Sequence, residues 1–383
     1  MTTFIRAPEA ARRLGVSTST LYAYVSRGRV GRITAADGRA SLFDVEEIDA
    51  LRERNRRGPV EPPPSIDVHI SSSVTRLDEE GLSYRDHRVE SLVDRPYEDV
   101  AELLWSGSLP DDDPHWPTFD VRPVDDAPSI FALITLAAEM GRAAETSGQD
   151  GDASIEPADV ARRFLSAIPT RFGVLDREGS FAQRLSRIWM AEPDADFVRV
   201  VNAALVLLAD HELATSTLAV RVAASVRSSP LAALTAGLAT VEGAFHGSAS
   251  RHVHELLVDV ERDGASDVLA ARRRERRQVA GFGHSVYRRV DPRFQPLLER
   301  VMQIPDPLGR RAVVVDLVRT AGSAIAHQPN IDLALGAFTY IADLPADSPL
   351  FAIARIAGWM AHYEEELGER RLRFRGLARS AVN

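Results

Sequence analysis

Apolar residues recur at three- and four-residue spacing over most of the chain beyond residue 90. The clearest stretches are residues 197–226, 230–245 and 350–367. This spacing lines apolar side chains along one face of an α-helix. Several stretches are apolar on more than one face, which predicts deep burial in a large bundle or at a dimer interface. Strand signals are sparse, and the weakly alternating residues 66–74 are predicted as a short β segment. The larger part of the chain is therefore predicted to be almost entirely α-helical.

A proline-rich run separates the start of the chain from this helical part. Residues 58–64 contain four prolines, which a helix interior does not tolerate and which favour a stiff, extended linker. The length of 383 residues also exceeds that of one average domain. We therefore predict an N-terminal module over residues 1–58, a linker over 59–65 and a body over 66–383.

The N-terminal module is basic, although the whole chain is acidic. Residues 1–58 carry eleven arginines and seven acidic residues, whereas the complete chain has a net charge of −9. Because this module is basic while the rest of the chain is acidic, it is expected to have a function of its own. Its pattern, with Ser17 as an N-cap, predicts helices at 7–14, 18–25 and 44–54, a turn at 15–17 and a two-stranded wing at 27–43.

Residues 11–22, Ala-Arg-Arg-Leu-Gly-Val-Ser-Thr-Ser-Thr-Leu-Tyr, resemble the winged helix–turn–helix of the MerR and excisionase type. In such modules the second helix enters the major groove of DNA. The resemblance implies duplex DNA as a partner. The alternative is a small docking domain that has the fold without binding DNA. The residues expected at DNA are Thr18, Ser19, Tyr22 and Arg27, with Arg29, Arg32 and Arg39 on phosphates.

The composition excludes several kinds of chemistry. The chain has no cysteine, so disulfides, zinc–thiolate sites and cysteine nucleophiles are excluded. It also has no lysine, which excludes Schiff-base catalysis and a P-loop. His252 and His254 stand two apart on a predicted helix and point to different faces, so we expect no metal. The absence of a membrane-length apolar run and of a signal peptide predicts a cytoplasmic protein without a membrane partner.

Four short motifs follow one another in the second half of the chain. They are Asp-His-Glu-Leu at 210–213, Phe-His-Gly at 245–247, Gly-Phe-Gly-His at 281–284 and Asn-Ile-Asp at 330–332. Together with three arginines, they supply three histidines and, in the last motif, one carboxylate. A carboxylate can remove a carbon-bound proton, imidazoles can stabilise the developing oxygen charge, and guanidinium groups can hold a polycarboxylate.

The order and wording of these motifs resemble the citrate synthase family. The similarity spans about residues 66–383 and includes the segments 81–85, 102–110, 211–217, 281–293, 329–332 and 351–362. It implies a mainly α fold with a large domain at about 66–246 and 339–383 and a small domain at about 247–338. It also implies a homodimeric acyltransferase that condenses acetyl-CoA with oxaloacetate and water to give citrate and CoA. A coenzyme A thioester would be a substrate, with no tightly bound cofactor and no metal.

The resemblance also assigns roles to individual residues. Asp332 matches the base that removes the methyl proton, His246 the donor to the thioester oxygen, and His284 the residue that polarises the ketone. The remaining matches are His211, Arg293 and Arg355 on substrate carboxylates, Arg373 donated to the partner subunit's site, and Arg288 near coenzyme A. A carboxylate of pKa about 4 is too weak a base to act alone, so the oxygen must be stabilised as the proton leaves.

Two other functions remain open at this point. One is 2-methylcitrate synthase, which uses propionyl-CoA, because one methylene is worth only about 1–3 kcal/mol of discrimination. The other is a DNA-binding regulator whose synthase-like body senses a metabolite.

Overall fold

The structure is a computed structural model of the chain. It describes residues 4–26, 30–34, 41–56, 69–78, 81–112, 114, 116–146, 156–244, 246–275, 277–284, 287, 290–325 and 327–374. The chain divides into two compact units, Met1–Ser71 and Ser72–Asn383. Each unit has an apolar core of its own.

The first unit combines three helices with a three-stranded antiparallel sheet of order β1-β3-β2 in its described residues. The elements are β1 Phe4–Arg6, α1 Ala7–Leu14, α2 Thr18–Ser26, β2 Ile33–Thr34, β3 Ser41–Asp44 and α3 Val45–Arg56. Strand β1 was not predicted; it is three residues long, too short for a period-two pattern.

A tight turn joins α1 to α2. Helix α1 ends at Leu14 and is followed by Gly15, whose φ of 70° is left-handed and suits glycine. Ser17 then caps α2, because its Oγ accepts the main-chain N–H of Thr20 at 3.2 Å. Leu21 of α2 and Ile48 of α3 are fully buried in the core of this unit. The helices predicted at 7–14 and 18–25 and the Ser17 cap are confirmed.

In its described residues the second unit is a helical body with one small sheet, which confirms the mainly α prediction. Its elements are β4 Thr75–Asp78, β5 Gly81–Tyr84, β6 His87–Arg88, α4 Val89–Leu92, α5 Tyr97–Ser106, α6 Ile130–Thr146, α7 Pro157–Arg171, α8 Phe181–Ser186, α9 Ala195–Leu208, α10 Thr215–Ser225, α11 Pro230–Val241, α12 Ala249–Asp263, α13 Ala265–Arg274, α14 Phe294–Val301, α15 Arg311–Ala324, α16 Ile331–Ile341 and α17 Leu350–Leu367.

Two local predictions need correction. Residues 69–74 of the predicted β segment form no strand, and residues 66–68 lie outside the described residues. The strands follow directly after, where Thr75 to Tyr84 close an antiparallel hairpin. The helical stretch at 197–226 is also broken, because α9 ends at Leu208 and α10 begins at Thr215. His211 therefore lies in a turn between two helices rather than inside one.

Helix α17 packs against α5, α7, α9, α10 and α11 and is buried along most of its length. Gly358 allows its closest approach, because a side chain there would collide with Asp210 Oδ1 and the carbonyl of Ala209. The main-chain N–H of Gly358 donates to that same carbonyl at 3.1 Å. This contact fixes α17 against the turn that carries His211.

In the part of the chain that is described, none of the helices has the length and apolar character needed to span a lipid bilayer.

Candidate active site

Two loops are tied together in front of α16. The N–H of Gly283 donates to the carbonyl of Gln328 at 2.8 Å, and the N–H of Asn330 donates to the carbonyl of Gly281 at 2.9 Å. The Asn330 side chain donates to the Gly283 carbonyl at 2.7 Å. Gly281 has a φ of 82° and no room for a Cβ beside Leu333. These bonds hold His284 next to the start of α16.

Asp332 lies in the first turn of α16. Asn330 caps this helix by accepting the Asp332 N–H at 3.0 Å. Burial raises the pKa of Asp332 to about 6, and Asp291 adds to the effect, while Arg293 and Arg355 oppose it. A carboxylate whose pKa is raised towards neutrality is a stronger base than an ordinary one and still ionised at pH 7.

Arg293 is anchored by a buried carboxylate. Its Nε and one terminal nitrogen donate to the two oxygens of Asp291, each at 2.9 Å. Asp291 also accepts the N–H of Ile331 at 3.0 Å. Arg293 is 2% exposed. Asp291 therefore couples the position of Arg293 to the start of α16.

His211 and His284 lie side by side, with ring centroids 5.3 Å apart. Tyr287 contacts both: its Oη is 3.0 Å from His211 Nε2, and its N–H donates to His284 Nδ1 at 3.3 Å. Burial lowers the pKa of His284 and, more strongly, that of His211, and Arg293 lowers both further. Both imidazoles are therefore neutral at pH 7.

His246 has its own set of partners on the helical side of the site. Its Nε2 is 2.8 Å from Ser216 Oγ, and the indole N–H of Trp359 donates to that same oxygen at 3.2 Å. Ser216 and Trp359 are fully buried. Burial lowers the pKa of His246, and Arg355 lowers it further. This imidazole is neutral as well.

Arg355 is 3% exposed, yet its Nε and one terminal nitrogen have no hydrogen-bond partner among the residues described. Its guanidinium carbon lies 5.0 Å from the ring centroid of Phe351, which also contacts the ring of His246. A buried guanidinium with free donors favours an anion beside it.

A buried polar network supports the turn after α9. Asp210 Oδ2 accepts from Thr75 Oγ1 at 2.6 Å and from the Glu212 N–H at 3.0 Å, and His362 Nε2 lies 3.3 Å away. Arg221 donates to His362 Nδ1 at 3.0 Å. Since arginine only donates, His362 must carry a proton on Nε2 and present it to Asp210. This network holds the turn rigidly.

A cleft of about 1100 Å³ opens beside His284. Its lining includes Arg273, Arg277, Thr320 and His327. Its volume suits a large organic ligand. Arg288, the residue expected near coenzyme A, lies outside the described residues.

Arg373 does not join the other predicted groups within this chain. It donates to both carboxylate oxygens of Glu366, with Nε to Oε1 at 2.7 Å, and approaches Glu369 at 3.5 Å. The structure thus brings together His211, His246, His284, Arg293, Asp332 and Arg355, whereas the donation of Arg373 to a partner subunit remains a prediction.

The residues predicted at DNA belong to the first unit. Thr18 and Ser19 open α2, and Tyr22, 38% exposed, lies one turn further on. Arg32 is exposed just before β2. The remaining three predicted residues, Arg27, Arg29 and Arg39, lie outside the described residues.

Several supporting residues were not found from the sequence. Asp291 and Tyr287 lie inside the loop that carries the His284 and Arg293 motifs, so that loop could have been searched for them. Ser216 and Trp359 are 143 positions apart, and no local pattern joins them. Among the described residues, no group of three or more histidine or acidic side chains is arranged to hold a metal ion.

Comparison with known proteins identifies relatives of the chain. The family model "Citrate synthase, C-terminal domain" matches residues 129–378. Citrate synthase of Mycolicibacterium smegmatis is 29% identical over 74% of this chain and 85% of its own length. Citrate synthase of Synechocystis sp. is 30% identical over 75% of this chain and 81% of its own length. A 2-methylcitrate synthase of Mycobacterium tuberculosis is 29% identical over 74% of this chain and 81% of its own length.

Solved structures resemble the chain as well. Citrate synthase from Pyrobaculum aerophilum matches with a TM-score of 0.70 and 24% identity, covering 82% of this chain and 91% of the other. Citrate synthase from Thermoplasma acidophilum, solved as a ternary complex with carboxymethyl coenzyme A and oxaloacetate, matches with a TM-score of 0.64 and 22% identity, covering 83% of this chain and 95% of the other. These similarities establish the fold. The family model spans more than half of the chain, so the chain belongs to the citrate synthase family and is an enzyme of that class.

Proposed function

We propose that this enzyme condenses acetyl-CoA with oxaloacetate and water to give citrate and CoA. One observation carries the proposal. Asp332, with a pKa raised to about 6, shares a site with three neutral histidines and with Arg355, which has two buried nitrogens without a hydrogen-bond partner in the described part of the chain. A base, oxygen-directed donors and an anion site are what this condensation needs.

In the first step, Asp332 removes a proton from the acetyl methyl group and His246 donates a hydrogen bond to the thioester oxygen. Trp359 donates to Ser216, which leaves the serine proton free to point at His246 Nε2. The ring proton is then on Nδ1, and this N–H is the donor. The enol forms without a free carbanion, because the oxygen is stabilised as the proton leaves.

In the second step, the enol carbon attacks the ketone carbon of oxaloacetate. Tyr287 donates its N–H to His284 Nδ1, so the neutral ring carries its proton on Nε2 and directs it at the ketone oxygen. That oxygen takes the Nε2 proton of His284 and becomes the hydroxyl of citryl-CoA as the new carbon–carbon bond forms. His284 then regains a proton from solvent, and Asp332 releases the methyl proton to solvent. Water then cleaves the thioester, which releases citrate and the thiol of CoA.

The two carboxylates of oxaloacetate would be held by His211, Arg293 and Arg355. Arg355 brings two nitrogens that no described residue pairs, and Arg293 is already oriented by Asp291. The acyl-CoA would occupy the cleft beside His284, with Arg288 near its phosphates. No metal and no tightly bound cofactor take part, because the side chains supply the base and every donor.

We also propose that the enzyme is a homodimer with Arg373 donated to the partner's site. Exposed apolar side chains support an interface: Phe131 of α6 is 64% exposed, and Val222 and Val226, at the end of α10, are 41% and 54% exposed. Helices α6 and α10 both pack on α11. The body would divide into the large and small domains predicted above, and their closure would exclude water until condensation is complete.

A steady-state assay with both acyl-CoA substrates tests the main proposal. Release of CoA thiol is measured with oxaloacetate and either acetyl-CoA or propionyl-CoA, with each omission as a control. A higher kcat/KM for acetyl-CoA supports citrate synthase. A higher value for propionyl-CoA favours 2-methylcitrate synthase, the name that one group of relatives carries. If CoA thiol is released with neither acyl-CoA, both proposed activities are wrong.

A second function is proposed for residues 1–58, namely weak binding of duplex DNA in the cytoplasm. The arginine excess of this segment, the exposed Thr18 and Tyr22 of α2 and the exposed Arg32 before β2 favour it. Contacts from Arg27, Arg29 and Arg39 to phosphates would make binding fall steeply with salt. One module would bind weakly, so a dimer is needed for useful affinity.

Fluorescence anisotropy with a random duplex pool tests this second proposal. Binding by the full chain at low salt, lost in a chain that starts at Pro64, supports it. Absence of binding to any duplex favours the docking-domain alternative. A change of DNA affinity with oxaloacetate or acetyl-CoA would support the regulator alternative, since a ligand shifts affinity only when it prefers one of two states.

A further inference from the structure

Tyr287 contacts several residues of the candidate site, although the proposed mechanism gives its side chain no role. Its hydroxyl lies 3.0 Å from His211 Nε2 and its N–H donates to His284 Nδ1. Its ring centroid is 4.7 Å from that of His284 and 5.4 Å from that of His211. The guanidinium of Arg293 lies 5.5 Å from the same ring centroid. One side chain thus contacts three residues proposed to bind oxaloacetate.

The direction of the hydroxyl bond follows from the protonation states. Burial raises the pKa of Tyr287, so the phenol keeps its proton at neutral pH. Burial lowers the pKa of His211, so that ring has one bare nitrogen. A phenol is a stronger acid than a neutral imidazole N–H, so the better bond runs from Oη–H to Nε2. The proton of His211 then stays on Nδ1.

We propose that Tyr287 is a positioning residue of the oxaloacetate site, whose hydroxyl orients His211 while its main-chain N–H sets the donor form of His284. The inference rests on the proposed condensation and deepens it. Tyr287 acts through His211 and does not itself contact oxaloacetate. Its hydroxyl should therefore matter for oxaloacetate and not for the acyl-CoA.

Tyr287→Phe is the variant that tests this role. It removes only Oη and keeps the ring contacts and the main-chain N–H. We expect the KM for oxaloacetate to rise about tenfold, the equivalent of one hydrogen bond of about 1.4 kcal/mol. The KM for acetyl-CoA should change less than twofold. Tyr363→Phe is the matched control, because its Oη donates to the Ser228 carbonyl at 2.6 Å and, among the described residues, bonds none of the site groups.

A double-mutant cycle with His211→Gln separates positioning from direct contact. If Tyr287 acts through His211, Tyr287→Phe should have almost no further effect on the oxaloacetate KM in the His211→Gln background. A full tenfold effect in that background would overturn the inference, as would an unchanged KM in the single variant. An equal rise in both substrates' KM values would indicate a merely structural role and would also overturn it.

Calorimetric titration with oxaloacetate keeps this test distinct from that of the proposed function. Wild type should bind oxaloacetate about tenfold more tightly than Tyr287→Phe. An active wild type with a wild-type-like Tyr287→Phe defeats only the role of Tyr287. A wild type that neither turns over nor binds oxaloacetate defeats the proposed function and this inference together.

Discussion

The two sides of the candidate site hold their arginines in opposite ways. On the loop side, Arg293 is paired through two hydrogen bonds with Asp291. On the helix side, Arg355 is equally buried but keeps Nε and a terminal nitrogen without a hydrogen bond among the described residues. A paired buried charge is stable without ligand, whereas an unpaired one is costly until an anion arrives. Arg293 on the loop side is therefore oriented before oxaloacetate binds, whereas Arg355 on the helix side is stabilised most by its binding.

The two residues proposed to act in proton removal, Asp332 and His246, also lie on different sides of the site. Asp332 opens α16 beside the loop side, and its ionised form is disfavoured by burial. His246 belongs to the helix side through Ser216 and Trp359. Proton removal thus needs one group from each side, so loss of Asp332 and loss of His246 should both block this step, whereas loss of His284 should block only condensation.

The largest effect is expected for Asp332→Asn. Turnover should fall by about a thousandfold, because only the base is lost. Oxaloacetate binding, measured by calorimetry, should stay within about twofold. Wild-type-like turnover would remove Asp332 from the mechanism.

Proton exchange sharpens the same comparison. The acetyl methyl group of acetyl-CoA is followed by NMR in D2O with a non-condensing oxaloacetate analogue. His284→Ala should still exchange these protons, whereas His246→Ala should not. Normal exchange in His246→Ala would overturn the assignment of that residue.

The next largest effect compares the two arginines directly. Arg355→Gln should raise the oxaloacetate KM about a hundredfold, yet leave the free energy of unfolding unchanged or higher, because a costly buried charge is removed. Arg293→Gln should also weaken oxaloacetate binding, but it leaves Asp291 buried without its partner. That variant should lose about 3–5 kcal/mol of stability.

Urea unfolding of both variants without ligand provides the measurement. If Arg293→Gln is as stable as Arg355→Gln, the contrast between the two sides of the site is wrong.

A smaller, graded effect is expected from pH. Because Asp332 must be ionised to accept a proton and has a pKa of about 6 in the free enzyme, kcat/KM should fall about tenfold per pH unit below that value. The folded pKa lies above the unfolded value of about 4, so ionisation costs stability as the pH rises from 4 to 6. The free energy of unfolding of Asp332→Asn should therefore be about 1–2 kcal/mol higher than that of wild type at pH 8. An equal or lower stability of that variant at pH 8 would contradict the raised pKa.

The sequence predicted the parts of this architecture that have local signals. The helix at 350–367 follows from apolar spacing, and the Ser17 cap follows from capping chemistry. The break that places His211 in a turn was missed, because apolar spacing continues on both sides of it and neither proline nor glycine interrupts it. Asp210 bonds His362 from 152 positions away. Such pairs depend on how α17 packs on the turn, which no short pattern encodes.

The smallest effect concerns the first unit and is expected from a chain that starts at Pro64. We predict that kcat/KM for both substrates stays within about threefold of the full chain, less than 1 kcal/mol of transition-state stabilisation. Each group brought together in the candidate site lies beyond residue 200, and the first unit has an apolar core of its own. Ser73 remains in this shorter chain and donates its N–H to Glu365 at 2.8 Å, which anchors the start of the body to α17.

A chain that starts at Arg76 is the matched control for this truncation. It also removes Ser73 and Thr75, and Thr75 donates to the buried Asp210 beneath the His211 turn. We expect this shorter chain to lose stability and oxaloacetate affinity, because it leaves a buried carboxylate oxygen with one donor fewer. Both chains are assayed at equal concentration, with melting followed by calorimetry. If the chain from Pro64 loses more than tenfold in kcat/KM, the first unit contributes to the site and residues 59–65 are not a simple linker.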